Sequence, residues 1–313
     1  MNIKIVCHLM PWEIDHALLI FNKLKQSSYF VNKEDTLYLD TALNLSSKFI
    51  DWEQSKLPKE YFIEKYKMLS DLVEFKFNHK SFIYEGNESY GSISLMKNMP
   101  ESHIDYYITV CPDVNFQEHL LYYLIESAKQ IKDDYFILSP QIYKCWDSSW
   151  NVLVNKIFMD VECSKYMDTD IHDIRHECLQ LESPQIKQIQ TFKYACWFDL
   201  FNKNFIEKLA PILPEWGGYI PWDNYSTNIC NFSKQKNVNI NQYVIENQVI
   251  WFEDTGCWAN KEKKYGDGRL KTLYYDFLSI KTIGKEQRKE VDDNLNIYLQ
   301  KWFEYAKNND IIK

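Results

Sequence analysis

The run from Ile104 to Val110 constrains this chain most, because of what stops it. It is apolar, β-branched and aromatic, long enough for a buried strand and too short for a helix to be preferred. Cys111-Pro112-Asp113 ends it, since Pro112 has no N–H to give to a sheet ladder. From Gln117 to Lys132 the pattern turns helical, with Leu120, Leu121, Leu124, Ile125, Ala128 and Ile131 on one face. Tyr135 to Leu138 then reads as the next strand. Strand, helix and strand in close succession predict a parallel sheet with helices on its faces. Asp113 is left at the C-terminal end of a buried strand, the edge where open α/β sheets bind ligands. An aspartate at that place also suits a plain turn or helix cap.

The N-terminal part repeats the pattern. Asn2 to Cys7 reads as a strand, Ala17 to Leu24 as a helix and Thr36 to Asp40 as a strand. His8, Asp15 and His16 follow the first strand and suit either a ligand crevice or a turn at the surface. A helix is expected from Leu57 to Leu72 and a strand from Val73 to Phe77. Ser139-Pro140-Gln141 reads as a loop, and Lys193 to Phe201 as a strand. Asn204 to Leu209 starts a helix that Pro211 breaks, and Val244 to Glu253 is another strand. Asp147 or Ser148 would cap a helix toward Phe158, and further helices are expected over Ile171 to Leu181 and Glu286 to Asn308. His172 and His176 share a helical face without a third ligand nearby, which argues against zinc. With 313 residues and no repeat or clear linker, the chain reads as one domain, with 256–313 as a basic loop and C-terminal helix packed on it.

Charge and cysteine usage narrow the function classes. A net charge of −8 disfavours a broad, sequence-independent grip on a phosphate backbone. The eight cysteines are scattered with no C-x-x-C pair, which argues against zinc ribbons and thioredoxin-like chemistry. Reduced, buried thiols and a cytoplasmic location are expected. No secretory leader is seen, and nothing approaches the roughly 20 apolar residues of a membrane span.

Three stretches carry chemistry. Tyr90-Gly91-Ser92 leads a helix-like segment to Leu95-Met96-Lys97-Asn98, where free backbone N–H groups suit a phosphate oxygen. Trp216-Gly217-Gly218 leads to Trp222-Asp223, with Asp223 at an expected helix start. A loop punctuated by Gly256, Gly266 and Gly268 carries Lys261, Lys263, Lys264 and Arg269. Each also has an ordinary role, as a capped surface helix, an N-cap and a solvated loop.

In this order the stretches resemble the GT-A nucleotide-sugar glycosyltransferases. Leu95-Met96-Lys97-Asn98 looks like that family's Ala-Arg-Asn helix end, with Lys97 in place of arginine. Cys111-Pro112-Asp113 looks like its Asp-x-Asp motif, with Cys111 in place of the first aspartate. The resemblance implies a GT-A-like, Rossmann-like α/β fold with a mostly parallel central sheet flanked by helices. It implies transfer of a hexose or pentose from a nucleotide-sugar donor to the hydroxyl of a glycan or small molecule, or to a modified nucleic-acid base, as some viral members do. Lys97, Asn98, Asp113, Lys264 and Arg269 would bind the donor. Asp113 would hold Mn²⁺ or Mg²⁺, although a thiol at Cys111 suits hard Mg²⁺ poorly. Asp223 would be the general base, and Trp216 and Trp222 would stack on the acceptor. The alternative from another class is a noncatalytic nucleotide-sugar or glycan binder on the same scaffold, which the loss at Cys111 favours.

Overall fold

The computed structural model describes residues 1–9, 11–45, 57–73, 77–84, 101–112, 114–142, 185–189, 198–209, 239–252, 297, 300, 301 and 303–310. Their strands are β1 (Asn2–Leu9), β2 (Thr36–Asn44), β3 (Asn78–Tyr84), β4 (Tyr106–Val110), β5 (Val114–Phe116), β6 (Phe136–Ile142), β7 (Ile186–Ile189), β8 (Phe198–Asn202) and β9 (Asn241–Phe252). All nine belong to one sheet ordered β3-β2-β1-β4-β8-β6-β9-β5, with β7 also on β9.

β1, β2, β3 and β4 are parallel neighbours, and β6 and β9 are parallel to each other. β8 runs antiparallel to both β4 and β6, so the two parallel groups point the same way. Only β5, β7 and β8 run against them. The fold is therefore α/β with a mostly parallel central sheet, as expected.

Three helices cover one face: α1 (Ile14–Ser28), α2 (Lys59–Val73) and α3 (Leu120–Gln130). Ile3, Ile5, Cys7 and Leu9 of β1 enter a single apolar core with Leu39, Ile108, Val110 and Leu200 from the neighbouring strands. Phe21 and Leu24 of α1, Tyr66 and Leu69 of α2, and Leu120, Leu121 and Leu124 of α3 complete it. Burying each such leucine contributes about 1.5–3 kcal/mol, enough in sum to hold helices whose own propensity is unexceptional. α1 packs against both other helices, and Lys23 Nζ donates to the Phe116 carbonyl at 3.0 Å, tying α1 to β5.

Several elements differ from the sequence reading. The segment Val73 to Phe77 is not a strand where it is described. Val73 closes α2 as a buried core residue, and β3 starts at Asn78. Ser139-Pro140-Gln141 lies within β6, not in a loop. The ladder to β9 shifts register between Pro140 and Gln141, the kind of irregularity that accommodates a residue without an N–H. The helix expected from Asn204 contains a π-helical turn at Phe205–Leu209. β5 and β7 have three and four residues, too short for a periodic signal. Part of the expected C-terminal helix is seen at 303–308, while the segments expected as helices near Phe158 and at Ile171–Leu181 lie outside the described residues. Among the described residues, no helix is long and apolar enough to cross a membrane.

Candidate functional site

The strand order locates the site before any side chain is considered. From β1 the chain passes through α1 to β2 on one side, and it later enters β4 on the other. Connections that leave neighbouring parallel strands in opposite directions open a crevice at their C-terminal ends. Here those ends are Leu9 of β1 and Val110 of β4, whose strands are in register from Ile3–Tyr106 to Cys7–Val110. His8 and Leu9 end β1, buried Pro11 and Glu13 follow, and Cys111 and buried Pro112 end β4. Asn44, fully buried, ends β2 beside them.

Local forces fix the turn after β4. The Val114 N–H donates to the Cys111 carbonyl at 3.4 Å, and the Phe116 N–H to Asn115 Oδ1 at 2.9 Å. β5 then pairs antiparallel with the end of β9, Asn115 opposite Trp251. Gln117 Oε1 accepts the Val249 N–H at 3.2 Å, so the same turn is held from the β9 side. His8 keeps slight solvent contact, yet the protein crowded around its ring lowers its pKa to about 4 by desolvation. At neutral pH it is an uncharged imidazole. Cys111 is a half-buried thiol.

Of the residues named from sequence, Lys97, Asn98, Asp113, Trp216, Trp222, Asp223, Lys264 and Arg269 lie outside the described residues, as do His172 and His176. Asp113 is bracketed by the described Pro112 and Val114. His16 is half-buried on α1. Among the described residues, no group of three or more His, Cys, Asp or Glu could hold a metal ion, and Cys111 brings a soft thiol where Mg²⁺ needs oxygen.

Sequence reasoning missed an ionic cluster on the sheet face that α1–α3 leave uncovered. The register sets Lys4, Val6 and His8 on that face, with Asp40 and Ala42 of β2 and Tyr107 and Thr109 of β4. Lys4 is 1% exposed, and its Nζ lies 2.9 Å from Asp40 Oδ2 and 3.0 Å from Glu101 Oε1. Lys80 Nζ reaches the same Glu101 oxygen at 2.5 Å, and His103 Nε2 lies 3.3 Å from the other. The available signal was a charge in the middle of each of two apolar runs, Ile3–Val6 and Leu37–Leu43.

This cluster sets an acid limit on stability. The hydrogen bond from Lys80, with further help from Lys4, lowers Glu101 from 4.5 to about 2. A depressed carboxylate stabilises the fold fully above its unfolded pKa, and that contribution is lost as pH falls through its folded pKa. Between about pH 4.5 and pH 2 the parent therefore loses stability that Glu101→Gln never had. Denaturant titrations at pH 7, 4 and 3 check this. Parallel curves for parent and Glu101→Gln over that range would remove Glu101 from the account.

No known family matches this chain, and no curated protein does. Among solved structures it is similar to S. aureus TarS 1-349 in complex with UDP-GlcNAc, at TM-score 0.46 and 9% identity over 95% of this chain and 72% of that one. The same TarS fragment in complex with UDP gives TM-score 0.41 and 10% identity, over 94% and 70%. A 4-diphosphocytidyl-2C-methyl-D-erythritol synthase from Anaerococcus prevotii gives 0.39 and 11%, over 94% and 96%. At these scores the functional reading rests on this chain's own strands and residues.

Proposed function

We propose that this chain transfers a sugar from a nucleotide-activated donor to an acceptor hydroxyl. The observation that supports the reading best is the switch point between β1 and β4, with Cys111-Pro112 at its lip and the chain folded back through β5 onto β9. That architecture offers a nucleotide a place at strand ends, and the end of β4 carries Cys111-Pro112 of the GT-A-like motif. The chain is read as one domain.

Departure of a nucleoside diphosphate builds negative charge on phosphate oxygen, which a cation must stabilise. We assign Lys97, Lys264 and Arg269 to that charge, with Asn98 and Asp113 positioning the donor. Asp113 is the residue that would hold Mn²⁺ or Mg²⁺, and a bound metal would add Lewis-acid stabilisation of the leaving group. Asp223 takes the proton of the attacking hydroxyl, while Trp216 and Trp222 stack on the acceptor, a glycan, a small molecule or a nucleic-acid base.

Donor binding gives the direct test. UDP and GDP titrated by calorimetry should bind the parent, and Asp113→Ala should weaken the better of them by about tenfold or more, the scale of one lost charge-assisted contact. Equal binding in both proteins would remove Asp113 from the donor site. Cys111, standing where the family has a carboxylate, favours a second reading as a noncatalytic binder. Such a protein would bind nucleotide and release no nucleoside diphosphate from UDP-sugars at any acceptor concentration.

A further inference from the structure

Thr41 of β2, Tyr66 of α2 and His79 of β3 meet on the side of the sheet that the helices cover. Thr41 Oγ1 lies 2.7 Å from Tyr66 Oη and 3.0 Å from His79 Nε2. The Phe82 N–H donates to Tyr66 Oη at 3.3 Å. Thr41 is 0% exposed and Tyr66 1%, so neither hydroxyl turns to bulk water. Only one arrangement of protons fits these partners. Among the described residues Tyr66 Oη has two, and the Phe82 N–H is a donor, so the phenol proton goes to Thr41 Oγ1. Burial raises the Tyr66 pKa well above its ordinary value, which keeps that proton in place. The one Thr41 hydroxyl proton then has His79 Nε2 as its acceptor. An imidazole nitrogen that accepts carries no proton, so His79 is neutral and protonated on Nδ1.

An imidazolium is a donor at both nitrogens. It would turn the chain round, with Nε2 donating to Thr41 and Thr41 to Tyr66, and the phenol proton would be stranded in the core. A stranded buried donor costs more than one hydrogen bond contributes. On this side of the described sheet β1 brings Cys7, level with Thr41, and the buried face of α2 brings no titratable group besides Tyr66. The α2 carboxylates Glu60, Glu64 and Asp71 are exposed, and Lys65 lies over the Tyr61 ring. Asp40 and Lys80 adjoin the trio in sequence but lie on the opposite face, held by Lys4 and Glu101. We infer that Thr41, Tyr66 and His79 form a proton-sensitive latch. Neutral His79 completes the hydroxyl chain that ties α2 to β2 and to β3, the strand at the end of the sheet order, and protonated His79 breaks it. The contribution of the latch is full above the ordinary histidine pKa of about 6.5 and falls away below it, because the unfolded chain then binds the proton more readily. None of this depends on the nucleotide-binding reading.

Denaturant titrations from pH 8 to pH 5 compare the parent with His79→Gln, whose amide offers an acceptor and does not titrate. The latch predicts that the folding equilibrium of the parent weakens about tenfold relative to that of His79→Gln over this range. Parallel curves overturn the inference. Thr41→Val cuts the chain and leaves His79 in place, so its pH dependence should run parallel to that of His79→Gln. A Thr41→Val curve as steep as the parent's would assign the effect to His79 burial alone and overturn the latch. Should the variants fail to fold, the nitrogen resonances of the His79 ring in the parent at pH 8 give the answer. A bare Nε2 with the proton on Nδ1 supports the inference, and a protonated Nε2 overturns it.

Discussion

On the proposed glycosyl-transfer reading, the Asp223→Asn variant transfers sugar about 10²–10⁴-fold more slowly while donor affinity stays at the parental value. Three features of the sequence motivate this expectation. Gly217-Gly218 lets the preceding chain turn sharply, Trp216 and Trp222 flank the segment, and Asp223 stands at an expected helix start, where the helix dipole keeps a carboxylate ionised. A general base must present an ionised carboxylate within about 3 Å of the attacking hydroxyl. The rival role is an N-cap. Loss of a cap costs about 1 kcal/mol of stability and leaves chemistry untouched. Asparagine caps a helix as well as aspartate and cannot accept the proton, so this one substitution separates the roles. Parental turnover in a folded Asp223→Asn protein would make Asp223 a cap and move the base elsewhere. Asp223→Ala is the companion variant, losing the cap as well and adding only the stability cost.

The parallel core of the fold was legible because periodicity and punctuation agreed there. Ile104 to Val110 is a largely apolar run, with Asp105 as its one charge, closed by Cys111-Pro112, and β4 occupies all but its first two residues. The stripe from Leu120 to Ala128 has helical spacing, and α3 buries those residues. Reading failed where sheet contacts overrode local preference. Pro140 looked like a breaker, yet a register shift against β9 absorbs it inside β6. Val73 looked like the start of a strand, yet its helical neighbours Tyr66, Leu69 and Ser70 bury the same face of α2. β5 has three residues and exists because β9 offers it a ladder, which no window on the sequence can see. The place of the candidate site was half legible. The end of β4 was named from Pro112, but its partnership with β1 depends on strand order. The buried charges were missed for a related reason. Lys4, Asp40 and Asp199 were read as members of strands, and a strand has two distinct faces only once its sheet is assembled.

The assembled sheet makes the Lys4–Asp40 pair the most sensitive point of the described fold. Both side chains are almost entirely removed from water, and their charged atoms lie 2.9 Å apart. Their partners are not symmetric. Lys4 has a second carboxylate, Glu101, at 3.0 Å, whereas the only ion pair of Asp40 among the described residues is with Lys4. Lys4→Met therefore removes the only ion-pair partner of Asp40 among the described residues and leaves it the weaker, more distant charge of Lys80, and breaking a buried pair in this way costs about 3–5 kcal/mol. Asp40→Asn leaves Lys4 still neutralised by Glu101 and should cost distinctly less. Total stabilities run to about 5–15 kcal/mol, so the first substitution alone removes a large share of the total. The double variant Lys4→Met, Asp40→Leu removes both charges and fills the space with apolar atoms, and it should recover most of the loss. Denaturant midpoints with unchanged slopes measure all three. If the double variant is no more stable than Lys4→Met, the penalty comes from packing around β1 and β2, and the charge account of this face is wrong.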